Sequence, residues 1–260
     1  MKKEYIAMEL GAQLFTLREY CKDLPSFAET LKKVADIGYK TVQVSGTCAY
    51  EADWLREQLD ANGLRCVITH YSMDKIRDIP AETAAFHKAF GCHHIGIGCA
   101  PNCFAKGEED MNALRAAIDA AATVFPKEDV LLMYHNHACE WQRGADGRYY
   151  FDALVEDYSP EVLGFTLDTF WAQYAGLDVP DLIRRMKGRV PCVHLKDMAV
   201  QVNRSVTAPV GHGNMDFDAI LAACADAGAT YLLVEQDDCY EDPFVCMKKS
   251  YDFLRARGLY

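Results

Sequence analysis

The stretch GFTLDTFWAQYAGLDVPDLIRRMKGRVPCVHLKD, residues 164–197, reads as one complete strand–helix–strand unit. Gly164–Asp168 and Cys192–Lys196 are short β-rich runs, and Val179–Met186 between them has helical spacing. Pro180 falls in the first helical turn and Gly188 follows the last, where each residue is at home. Working outward in both directions, the same alternation repeats. Further strands are predicted over Ala12–Thr16, Thr41–Ser45, Cys66–Tyr71, His94–Gly98, Leu131–His137 and Tyr231–Gln236. Further helices are predicted over Ser26–Ile37, Glu51–Ala61, Ala81–Phe90, Met111–Val124, Phe151–Glu156, Phe217–Ala227 and Pro243–Arg257. Gly38, Gly63, Gly91 and Gly228 mark other helix ends. Eight βα units within 260 residues meet the requirement of a closed (β/α)8 barrel, whereas open doubly wound sheets usually stop at roughly five to seven strands. Runs such as Leu131-Leu132-Met133 and Tyr231-Leu232-Leu233-Val234 suit parallel strands covered on both faces. The expectation is one α/β domain over residues 1–260, a TIM barrel.

Composition narrows the function. The net charge of −11, from 27 basic and 38 acidic residues with no Lys/Arg run, would repel a phosphate backbone, so nucleic acid is not expected as a partner. No window approaches the roughly 18 apolar residues of a membrane span. The N-terminus MKKEYIAMEL lacks the apolar run of a signal peptide, which predicts a cytoplasmic protein. Eleven Cys without CxxC pairs fit reduced thiols, and the pairing of Cys99 with Cys103 reads as incidental.

In such a barrel the chemistry gathers at the C-terminal strand ends. Strand six ends in Asp168, strand seven in His194 and Lys196, and strand eight in Glu235 followed by Gln236, Asp237 and Asp238. Strand five ends Tyr134-His135-Asn136-His137, whose period of two sets His135 and His137 on one side, with Glu140 in the loop beyond. Two carboxylates and an imidazole from neighbouring strand ends favour Mn²⁺, Mg²⁺, Co²⁺ or Zn²⁺ over thiophilic metals. The plainer alternative is that each serves local hydrogen bonds. Gln13, Gln43 and His70 at other strand tips suit hydroxyl recognition. Lys196, two residues past His194, is a candidate acid or base if a nearby metal lowers its pKa. The glycines of Gly211-His212-Gly213 serve a turn as readily as a ligand.

The segments GAQLFTLREY, YHNHACEW, LDTFWAQYAGLDVPDLIRRMKGRVPCVHLKDM, VGHGNMDFDAIL and LLVEQDD resemble the sugar phosphate isomerase/epimerase family, with its xylose isomerase-like TIM barrel. The resemblance implies one divalent metal, commonly Mn²⁺, held by a Glu, Asp, His, Glu set from strands five to eight. Three of these carry over, onto Asp168, His194 and Glu235. The first Glu does not. Either His135, which stands in its place, is the fourth ligand, or Glu140 reaches in from the loop and His135 and His137 contact substrate; the preference of hard ions for oxygen puts Glu140 slightly ahead. Two further departures are Trp171, where sugar epimerases of the group often have His, and Gln43, where members often carry Glu. The indole offers an apolar wall for a sugar ring or, alternatively, packs the barrel.

The expected activity is a metal-dependent sugar isomerase or epimerase acting on a small sugar or polyol. Proton abstraction beside a metal-held carbonyl would pass through an enediolate, with Glu140, Lys196 and Glu235 as the catalytic groups. The YHNH and HLKD runs also resemble inosose dehydratases, so a lyase acting on a keto-inositol is the alternative, followed by a non-catalytic sugar-binding barrel. A phosphorylated substrate is less expected, because no Gly-rich cradle or Arg cluster follows strands seven and eight. Endonuclease IV shares the barrel but needs more metal ligands and a basic groove. A homo-oligomer is possible.

Overall fold

The computed structural model describes residues 8–260; the first seven residues, on which most of the leader reading falls, lie outside the described residues. In chain order the strands are β1 (Glu9–Gln13), β2 (Thr41–Val44), β3 (Arg65–His70), β4 (His94–Ile97), β5 (Leu131–His135), β6 (Leu163–Asp168), β7 (Cys192–Leu195), β8 (Asp197–Gln201), β9 (Arg204–Ala208) and β10 (Tyr231–Val234). β1 to β7 and β10 close a parallel barrel in which β10 pairs with both β7 and β1, while β8 and β9 form a separate antiparallel hairpin. The helices are α1 (Leu24–Ile37), α2 (Ala52–Asn62), α3 (Met73–Asp78), α4 (Pro80–Ala89), α5 (Glu108–Ala122), α6 (Tyr150–Asp157), α7 (Thr169–Tyr174), α8 (Val179–Arg185), α9 (Phe217–Ala227) and α10 (Pro243–Arg255). The chain folds as the closed eight-stranded parallel barrel expected from its alternation.

Three local expectations need correction. The first strand lies at Glu9–Gln13 rather than Ala12–Thr16: the Gln13 side chain accepts from the Phe15 amide at 3.2 Å, which starts a 3-10 turn over Leu14–Tyr20. α7 was not expected; Asp168 caps it by accepting from the Trp171 amide at 2.9 Å. Nor was the β8–β9 hairpin, whose two-residue turn holds Val202 and Asn203 at φ of 48° and 60°.

The barrel has two apolar layers. Tyr134, Phe165, Val193 and Leu232 point outward into the large core shared with the helices, where Phe165 meets Phe151 of α6 at 5.2 Å between ring centroids. Ile68, Met133, Cys192 and Leu233 pack together inside as a floor. Two residues further along the same strands, and so on the same inward side, come His70, His135, His194 and Glu235. The floor beneath the barrel mouth therefore dictates which side chains face the mouth. Among the described residues no helix is long and apolar enough to cross a membrane. All eleven cysteines are free thiols, with the Sγ atoms of Cys99 and Cys103 3.7 Å apart.

Candidate metal centre

His135, Asp168, His194 and Glu235, all buried, each bring one donor atom into a cluster whose atoms lie within 4.8 Å of one another. The register places them: Asp168 pairs with His194 across β6 and β7, and Leu233 of β10 pairs with His194 on the other side. Such a cluster could hold a divalent ion.

Hydrogen bonds outside the cluster choose the donor atoms. His135 Nδ1 lies 2.9 Å from the carbonyl of Gly98, which can only accept, so Nδ1 carries the proton and Nε2 is left facing Asp168 Oδ2 at 3.3 Å. His194 Nε2 donates to Gln43 Oε1 at 2.7 Å, leaving Nδ1 2.8 Å from Glu235 Oε2 without hydrogen-bond alignment. Burial, with His194 nearby, pushes His135 down to about 4, so its Nε2 presents a lone pair to a carboxylate oxygen. An imidazole lone pair set against a carboxylate oxygen repels it unless positive charge lies nearby, and at His194 a proton on the ring supplies that charge. His194 responds as that requires: burial alone would lower it, but Glu235 and Asp168 together raise it. The donor set therefore fits a divalent cation.

Glu140 does not join this group, which corrects the preference for it as fourth ligand. Its Oε1 accepts from the Tyr134 hydroxyl at 2.7 Å and its Oε2 from the His137 amide at 2.8 Å, with the residue fully buried. Because Tyr134 alternates with His135 it faces the helix layer, and Glu140 is held there with it. Position along the strand prevails over the preference for oxygen, and it is His135 rather than Glu140 that stands in the cluster.

Lys196 also differs from expectation. Its ammonium lies 2.9 Å from Asp168 Oδ2, 3.1 Å from Glu235 Oε2 and 2.9 Å from Asp237 Oδ1. Burial alone would lower its pKa, but the three carboxylates outweigh burial and raise it, making a fixed cation rather than a lysine tuned toward neutrality. Burial would likewise raise the acids Asp168 and Glu235, yet Lys196 and the imidazoles hold both well below the ordinary carboxylate range.

The remaining expected residues ring the cluster. The His70 ring is 5.0 Å from that of His135, and His137 lies 4.8 Å from His135 and 5.3 Å from Trp171. Gln13 Nε2, Gln43 Nε2, His70 Nε2, His137 Nδ1 and Trp171 Nε1 are buried without a hydrogen-bond partner. Beside His70 a recess of about 570 Å³ opens, lined by Ser45, Thr47, Glu51, Tyr71 and Lys75 among others. Gly98 makes room for His70, since a Cβ there would lie 2.7 Å from His70 Nδ1.

Sequence reasoning assigned no role to Asn136, whose Oδ1 accepts from the Asp168 amide at 2.9 Å, nor to Asp237. The latter follows Glu235 at the same two-residue offset by which Lys196 follows His194, a parity that could have found it.

Residues 31–257 match the family model described as xylose isomerase-like TIM barrel. The chain belongs to that family. Among the family's relatives, an inosose dehydratase from Geobacillus kaustophilus is 22% identical over 87% of this chain and 85% of its own. Of solved structures, a sugar phosphate isomerase/epimerase from Parabacteroides distasonis superposes with a TM-score of 0.81 at 20% identity, covering 96% of this chain and 94% of that one. An L-ribulose 3-epimerase superposes with a TM-score of 0.74 at 18% identity, again over 96% and 94%. The two structural likenesses establish a common barrel.

Proposed function

We propose that this family member is a divalent-metal-dependent isomerase or epimerase of keto- and aldo-sugars that moves a proton at the carbon beside a carbonyl. The observation that carries the reading is the convergence of His135 Nε2, His194 Nδ1 and the Asp168 and Glu235 carboxylates, with unpartnered donors of Gln13, Gln43 and Trp171 around it. Names borne by similar barrels, a sugar phosphate isomerase/epimerase and an L-ribulose 3-epimerase, support the same chemistry.

When bound, the ion, with Mn²⁺ the leading candidate, supplies Lewis-acid polarisation of the substrate carbonyl. Four residues would hold it: His135, Asp168, His194 and Glu235. Gln13, Gln43 and Trp171 Nε1 donate to substrate hydroxyls, and the Trp171 indole with His137 forms a wall for the carbon face. Glu235, kept ionised, accepts the proton from the carbon and, in an isomerisation, delivers it to the adjacent carbon; an epimerisation instead takes its proton from the opposite face. Lys196 keeps its proton on Nζ and stabilises negative charge developing on a substrate oxygen. His70, kept neutral by burial and by the neighbouring imidazoles, accepts a hydroxyl proton at Nε2. Glu140 positions the His137 amide and takes no part in proton transfer.

A second reading, dehydration of a keto-polyol, is favoured by the inosose dehydratase that aligns over 87% of the chain. Both begin with the same proton abstraction and differ in whether a β-hydroxyl leaves. Mn²⁺-loaded protein incubated in D₂O with a panel of ketoses and inososes distinguishes them. Isomerisation or epimerisation places deuterium at the carbon beside the carbonyl in a product of otherwise equal mass; elimination gives a product lighter by one water. Neither exchange nor water loss on any member of the panel would overturn both.

A further inference from the structure

Resting on the reading of the cluster as a divalent-ion site, we propose that Asp237 is the residue that keeps the site fit for the ion, by restoring the negative charge that the Lys196 ammonium cancels on the two ligand carboxylates. Charge and geometry both carry this. Asp168 and Glu235 bring two negative charges, and His135 contributes an uncharged imidazole where the resembling family has a glutamate. Lys196, buried and within 3.1 Å of an oxygen on each of the two acids, cancels one of those charges. Left alone, it is an internal counter-ion competing for the oxygens that a metal needs.

Asp237 changes that balance. Lys196 Nζ donates to both its oxygens, at 2.9 and 3.0 Å, whereas Glu235 Oε2, 3.1 Å from the same ammonium, has no aligned donor. Asp237 thus shares the ammonium with Asp168 Oδ2, which lies equally near at 2.9 Å, while a ligand oxygen of Glu235 stays unspent. Asp237 is itself fixed: its main-chain carbonyl accepts from Arg18 Nη1 at 2.8 Å, and that guanidinium also bonds the Phe15 carbonyl at 3.0 Å. It is three-quarters shielded from solvent, so its attraction for the ammonium is only weakly screened. With Asp237 the ensemble recovers two net negative charges, matching a dication.

The test is Mn²⁺ affinity, read by the electron paramagnetic resonance signal of free Mn²⁺ and independent of turnover, for wild type, Asp237→Asn, Lys196→Met and the double variant. Asp237→Asn should weaken binding by about 10- to 100-fold, the range for residues that support metal ligands. Lys196→Met should tighten it, and the double variant, lacking both charges, should return near the wild-type value. That rescue is one a merely structural Asp237 would not produce. Equal affinity in Asp237→Asn, or a double variant as weak as the single, overturns the proposal. If circular dichroism shows Asp237→Asn unfolded, Lys196→Met decides: unchanged or weaker binding overturns it. A wild-type protein that takes up no Mn²⁺ overturns the metal reading itself, and this inference with it.

Discussion

His135 and Glu140 show how little separates a ligand from a structural acid. His135 ends β5 and Glu140 follows it, both are buried, and the acid is the better partner for a hard ion, yet the strand's alternation turns His135 inward and leaves Glu140 with Tyr134 on the helix side. The expected outcome of His135→Asn is a loss of Mn²⁺ affinity of about tenfold or more, roughly 1.4 kcal/mol, with a melting temperature near that of wild type. Glu140→Gln should do the reverse. It keeps the metal but lowers stability by about 1–3 kcal/mol, because one of two buried hydrogen bonds loses its charged acceptor. Metal titration and thermal melting of the two variants side by side check this, and crossed effects would return Glu140 to the ligand set.

At the scale of elements, the loop after the hairpin hangs on one carboxylate. Asp197, at the start of β8, accepts from the amides of Met198, Gly211, Gly213 and Met215 at 2.8, 2.9, 2.9 and 3.2 Å. Burial raises its pKa even against those four donors. The glycines of Gly211-His212-Gly213 thus serve the turn: a Cβ on Gly213 would lie 2.4 Å from Asp197 Oδ1 and 2.3 Å from the Met198 carbonyl. Asp197→Ala is expected to cost about 3 kcal/mol in urea unfolding, since four amides lose a charged acceptor at once. Gly213→Ala should destabilise in the same direction. A shift in midpoint too small to resolve for Asp197→Ala would show that water replaces the carboxylate without loss.

For the molecule as a whole, buried imidazoles tie stability to pH. His87 is the cleanest case, away from the metal cluster. Its Nδ1 donates to the Thr83 carbonyl at 2.7 Å and its Nε2 accepts from the Thr69 hydroxyl at 2.9 Å, a pairing only the neutral ring can make. Burial pushes it from 6.5 down to about 4. The unfolded chain therefore binds a proton that the native state refuses between those two values, and stability, fully present above pH 6.5, is lost as pH falls toward 4. One such group contributes about 3 kcal/mol across that window. Comparing wild type with His87→Gln by urea unfolding at pH 7, 5.5 and 4.5, the variant should show a shallower decline with acid; parallel declines would mean that the ring is not held neutral.

Much of this was legible in the amino-acid sequence. Alternating short apolar runs and helical stretches, punctuated by Gly38, Gly63, Gly188 and Gly228, determine a closed parallel barrel, because hydrophobic period and turn chemistry are local properties. The same periodicity, read to the strand ends, was enough to single out Asp168, His194 and Glu235. What it left open depended on contacts between distant segments: the expected strand past Gln13 gave way to a 3-10 turn, the span after β7 became a hairpin, His135 rather than Glu140 entered the cluster, and Lys196 became a fixed cation facing Asp237, 41 residues further on. Tertiary structure decided these because orientation, protonation and charge balance depend on which groups meet across the barrel, and residues such as Gln43 and His194, 151 positions apart, meet only when it closes.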